Sequence, residues 1–72
     1  MTINPKDYES FIIRNSGLFL RGMYAGDKVT RWTYSAYEAW AIKNRTLAES
    51  VQKKTGGEVV KFNALTGEVW NT

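Results

Sequence analysis

V-T-R-W-T-Y-S-A-Y-E-A-W-A-I-K-N-R-T-L-A-E-S-V-Q-K-K-T-G-G-E-V-V-K-F, residues 29–62, changes its hydrophobic period along its length. It opens on a β-rich run around Trp32, crosses through a segment holding Trp40, becomes an amphipathic helix, and ends in the strand Glu58-Val59-Val60-Lys61-Phe62. Ser35, with Glu38 three residues on, has the form of a capping box for a short turn over residues 36–41. Asn44 is the expected N-cap of the main helix, with Thr46 and Glu49 a competing box two residues later. Leu47, Ala48 and Val51 form the apolar stripe of that helix. Gly56-Gly57 ends it, and Lys53 and Lys54 complement the negative end of its dipole.

Upstream, Ser10-Phe11-Ile12-Ile13-Arg14, residues 18–24 and residues 28–34 read as three strands. Asn15-Ser16-Gly17 and Ala25-Gly26-Asp27 supply the turns, giving an antiparallel meander. With three-residue loops at both turns, Leu20 sits opposite Trp32 and Arg21 opposite Arg31. One face then carries Ile12, Leu18, Leu20, Trp32 and Tyr34. The other carries Phe11, Ile13, Phe19, Met23 and Val29, with Arg21 and Arg31 among them. A slip of one residue exchanges these sets. One face must cover the helix, and the other is too apolar for a plain solvated surface.

Downstream, Asn63-Ala64-Leu65-Thr66-Gly67 has a turn-forming Asn first and a Gly where a left-handed residue is needed, placing Phe62 across from Val69. Residues 1–9 are polar, with a type I turn at Asn4-Pro5-Lys6-Asp7, and read as a loosely held arm. The expected architecture is one α+β domain over residues 1–72: a three-stranded antiparallel meander, one main helix packed on the sheet, and a C-terminal β-hairpin, in the order βββαββ.

A chain of 72 residues buries only about 60% of its unfolded surface, so its stability is marginal. It has no Cys and no His, so disulfides, thiolate metal sites and the usual neutral-pH base are excluded. A dense aromatic core (three Trp, four Tyr, three Phe) or self-association is what remains to support it. Trp32, Trp40, Phe62 and Trp70 are the candidate core aromatics. The glycines match neither a P-loop nor a dinucleotide fingerprint, and the seven carboxylates show no metal-loop spacing. The chain is therefore expected not to be an enzyme and to need no cofactor or metal. No apolar run approaches the roughly 20 residues of a membrane span, and the opening residues lack a signal-peptide pattern, so a cytoplasmic protein with no membrane partner is expected.

The net charge of +3 suits anionic partners, and it also suits plain solubility. Phe19 beside Arg21, with Arg31 opposite, is the most suggestive group, because aromatics and arginines on an open sheet face make both stacking platforms and protein contacts, while the plainer reading is a core face whose arginines snorkel to the edge. Tyr34, Tyr37 and Arg45 are a second candidate patch around the crossing segment.

W-T-x-S at residues 32–35, E-A-W-A-I at 38–42, L-A-E-S-V at 47–51 and T-G-G-E-V-V at 55–60 together resemble small uncharacterised proteins encoded by phages and prophages of Gram-positive bacteria. The resemblance runs in motif order over residues 12–62 and implies a phage gene product acting in the host cytoplasm, with no site residue to carry over. The expected function is a non-enzymatic phage accessory protein that binds a host or phage protein, or itself as a homodimer, through Phe11, Phe19, Arg21, Met23 and Arg31. The alternative is a weak nucleic-acid binder using the same basic and aromatic face.

Overall fold

The computed structural model describes residues 3–26 and 28–71. Its strands are β1 (Glu9–Asn15), β2 (Leu18–Tyr24), β3 (Val29–Thr33), β4 (Glu58–Asn63) and β5 (Val69–Asn71), with one α-helix, α1 (Arg45–Thr55). They form one antiparallel sheet in the order β3-β2-β1-β4-β5. The α+β architecture of meander, helix and C-terminal hairpin is thus the one the sequence predicts.

Three local features set which residues share a face, and all differ from expectation; the first is the β2–β3 connection, where the Tyr24–Val29 pair leaves four residues between the strands rather than three. The β1–β2 turn is the two-residue Ser16-Gly17, with φ +54° and +82°, closing on an Asn15–Leu18 pair. Positive φ at both turn residues is the primed hairpin geometry that follows strand twist. The shorter loop slides β1 by one residue against β2. In β2 the register also shifts between Leu20 and Gly22, leaving Arg21 bulged. Leu20 does pair with Trp32, as read, but Arg31 pairs with Gly22 rather than Arg21. An extra residue on one strand inverts the alternation beyond it. The helix face therefore gathers Phe11, Ile13, Leu20, Met23, Trp32 and Val59, and the opposite face Ile12, Phe19, Val60 and Phe62.

The crossing segment answers the question of how so small a chain covers two apolar faces. After β3, Ser35 caps a 3-10 turn (Ala36–Glu38) by accepting from the Tyr37 amide. Glu38 does not close a capping box. It accepts from Thr33 Oγ1 at 2.7 Å, tying the turn to the strand before it. Ala36 and Ala39 pack on Ile12, Val60 and Phe62, and the Tyr37 ring meets Phe62 edge-on at 5.1 Å. The chain then passes from this face to the other between two strands. β1 and β2 pair only beside their turn, at Arg14–Phe19 and Asn15–Leu18. Further along, the Trp40 amide donates to the Leu20 carbonyl at 2.9 Å, while Phe11 and Ile42 exchange both backbone bonds at 2.7 and 2.9 Å. Residues 40–42 thus satisfy strand edges that would otherwise lie buried and unpaired.

On the far side α1 closes the helix-face core. Asn44 Oδ1 accepts from the Leu47 amide, which makes Asn44 the cap, and Glu49 instead accepts from Arg45 Nε. Ala48 and Val51 are buried against Ile13, Leu20 and Ile42. Leu47, read as part of the apolar stripe, is 47% exposed. Leu47→Ala is accordingly expected to change stability by less than about 0.5 kcal/mol in urea unfolding, the value for an exposed position.

The last hairpin pairs Phe62 with Val69, as the sequence predicts, and Asn63 Oδ1 accepts from the Leu65 and Thr66 amides within the turn. The expected loose arm is tied down along much of its length. Pro5–Tyr8 is a 3-10 turn capped by Asn4, the Pro5 carbonyl accepts from Asn63 Nδ2, and the Tyr8 carbonyl accepts from the Ala64 amide. Met1 and Thr2 lie outside the described residues.

Candidate nucleic-acid interface

The five residues predicted to share one face are not brought together. Phe11 and Met23 are half-buried against the helix-face core, and Phe19 packs on the opposite face. Arg45 covers Phe11, with its guanidinium 5.9 Å from the ring centroid. The apolar part of the expected interaction surface is therefore used inside the fold. The second candidate patch divides likewise: Tyr37 lies on Phe62, Arg45 on Phe11, and Tyr34 stands in solvent. Of the candidate core aromatics, Phe62 is buried, Trp32 and Trp40 are half-buried, and Trp70 lies at the surface.

What remains accessible is the part of β2 and β3 beyond Leu20 and Trp32. Here β1 has diverged, so the sheet narrows to a ribbon in which Gly22 pairs with Arg31, Met23 with Thr30 and Tyr24 with Val29. The molecule is correspondingly elongated, 42 × 22 × 22 Å. One side of the ribbon turns Met23 toward Trp40 and Trp32 and holds it to the core. The other side is open: Tyr24 and Val29 are 48% and 43% exposed, and Arg31 is exposed between them and the sheet. A Cβ placed on Gly22 would come 2.8 Å from the Tyr24 hydroxyl, so the Tyr24 side chain lies back along its own strand over Gly22.

Charge follows this division in part, since Lys6 and Lys53, which lie off the ribbon, also form no ion pair among the described residues. Arg14 is held by Glu58 at 2.6 Å, Arg45 by Glu49 at 3.2 Å and Lys61 by Glu9 at 3.1 Å. Lys43 donates to the Glu9 carbonyl at 2.7 Å. Among the described residues, no carboxylate forms an ion pair with Arg21, Lys28 or Arg31, all exposed. Residues 21–31 hold these three cations and one acid, Asp27, and so carry +2 of the chain's +3. Lys28 and Tyr24 were not among the predicted residues. The signal for them was this run of charge, which the even scatter of Lys and Arg elsewhere hides.

A cleft of about 430 Å³ lined by Lys6, Asp7, Glu9, Phe11, Lys43 and Lys61 is a weaker candidate, because two of its three ammonium groups, on Lys43 and Lys61, are already used in the hydrogen bond and ion pair just described and two carboxylates share its lining. The described residues contain no group of three or more His, Cys, Asp or Glu placed to hold a metal ion. No described helix is long and apolar enough to cross a membrane.

Fold and surface together define a small α+β sheet protein with a basic two-stranded ribbon. Compared with known proteins, the chain matches no family model, no curated protein and no solved structure.

Proposed function

We propose that this chain is a non-enzymatic nucleic-acid-binding protein whose contact element is the β2–β3 ribbon. The observation that carries the reading is the set of exposed cations Arg21, Lys28 and Arg31, which form no ion pair among the described residues, on an element that leaves the core. Cations without carboxylate partners keep their full charge available to phosphates, whereas paired ones must first lose a partner. The phage setting and host cytoplasm belong to the proposal too, and they rest on the motif resemblance alone.

Salt-dependent binding tests it. Three phosphate contacts on duplex DNA correspond to a slope of about −2.7 in log K against log salt, at −0.9 per contact. Reversing Arg21 and Arg31 together to Glu should weaken binding by more than about tenfold and flatten the slope by about 2, because each lost phosphate contact removes about 1. Fluorescence anisotropy on labelled oligonucleotides reads both quantities. Undetectable binding at low salt would remove the reading.

A protein partner is the second reading, favoured by one observation: β3 is the end strand of the sheet and offers an unpaired edge. Extended peptides add to such edges through main-chain hydrogen bonds. Self-association through an open apolar sheet face loses its support, because α1 covers one face and residues 36–39 the other.

A further inference from the structure

The geometry points to duplex DNA, read from its major groove, as the form of nucleic acid that the ribbon takes; this rests on the nucleic-acid reading above. Width is the first reason. Beyond Leu20 the element is two strands wide, with about 4.8 Å between strands, and such a ribbon with its side chains fits a major groove about 12 Å across. The minor groove, about 6 Å wide, would take it only if the duplex were widened and bent, at a cost in deformation energy.

The placement of charge is the second reason. A groove has two phosphate walls, and the ribbon has a cation on each strand: Arg21 on β2, where the bulge sets it out of the ladder, and Arg31 on β3. Lys28 lies three residues before Arg31, in the turn at the tip end of the ribbon. Cations are thus spread along and across the element rather than gathered on one track, as a single strand would need.

Aromatic geometry is the third reason. Single-strand sites stack successive bases on a row of side chains. The outer side of this ribbon has one aromatic residue, Tyr24, and its hydroxyl end lies against Gly22 on its own strand. On this side Val29 stands opposite Tyr24 and two residues before Arg31, exposed and small enough to approach base edges and thymine methyls.

The test compares a mixed-sequence duplex with each of its separated strands by fluorescence anisotropy at low salt. The duplex is then challenged with a major-groove dye (methyl green) and a minor-groove ligand (netropsin). The expected result is duplex binding about tenfold or more tighter than either strand, a difference of about one decade in Kd. Methyl green should compete, netropsin should not, and Arg21→Glu with Arg31→Glu should abolish the preference. Equal or tighter binding to single strands, or competition by netropsin alone, overturns the groove assignment and leaves nucleic-acid binding standing. No binding to any oligonucleotide overturns both. Circular dichroism of the variant separates lost binding from lost folding; a variant that is folded and still prefers the duplex also overturns the assignment.

Discussion

Gly57→Ala is expected to cost about 3 kcal/mol or more, a quarter or more of the stability of a chain this long. Gly57 has φ +87°, a region where a side chain is strained, and a Cβ there would stand 2.5 Å from the Arg14 carbonyl oxygen and 2.9 Å from Asn15 Cβ. The first of these neighbours is backbone and cannot swing aside. It also belongs to the residue that begins the β1–β4 ladder, where Arg14 pairs with Glu58 in register and through a bond from its guanidinium at 2.6 Å. Relief of the clash would have to open that ladder at its end. Set against a total of about 4–11 kcal/mol for a chain of this length, such a loss is large. Gly17→Ala is the matched control: its φ is +82°, and a Cβ there meets nothing within 4 Å. It should lose only the conformational part, about 1 kcal/mol. Urea midpoints of the two variants give the comparison; equal losses would mean that the approach to Arg14 is unimportant.

Ile42→Ala has the second-largest expected effect, about 2–5 kcal/mol, the range for truncating a buried Ile where the cavity cannot collapse. Ile42 is 2% exposed and touches the core formed by Ile13, Leu20, Ala48 and Val51. Its backbone is fixed by the pair of bonds it exchanges with Phe11, which resists a shift of the chain to fill the space. The same number of carbon atoms is removed by Leu47→Ala five residues later, where almost nothing should happen. A difference below about 1 kcal/mol between these two variants would contradict the placement of residues 40–42 between strands.

Element boundaries were legible because each has a local chemical signature. Asn44 caps α1, Gly56 and Gly57 end it with positive φ, and the turn of Asn63 and Gly67 sets Phe62 against Val69. The division of residues between sheet faces was not legible. It depends on counting residues across a turn and along a strand, and both counts changed: Ser16 took a positive φ that a non-glycine residue seldom adopts, and Arg21 dropped out of the ladder. Each shift inverts everything beyond it, which is how Met23 and Phe19, read as neighbours, came to lie on opposite sides. Arg21, Arg31 and their charge were visible in the sequence. That they stand on a projecting ribbon was not, because the cause lies at residues 40–42, which occupy the edge of β1 that β2 would otherwise have paired with.

That displacement separates what the molecule can change from what it must keep. The strand edge taken by residues 40–42 leaves the outer half of the β2–β3 hairpin bound to the rest mainly through Met23, Trp32 and Trp40. Substitutions at Tyr24, Val29, Thr30 and Arg31, all exposed, fall where surface changes usually stay within about 0.5 kcal/mol. The connection between Tyr24 and Val29 is a loop tip of the kind that tolerates insertion. The contact surface can therefore drift, lengthen or be redesigned in sequence while the folding core stays constant, and a library confined to residues 24–31 should yield variants that differ in what they bind far more than in whether they fold.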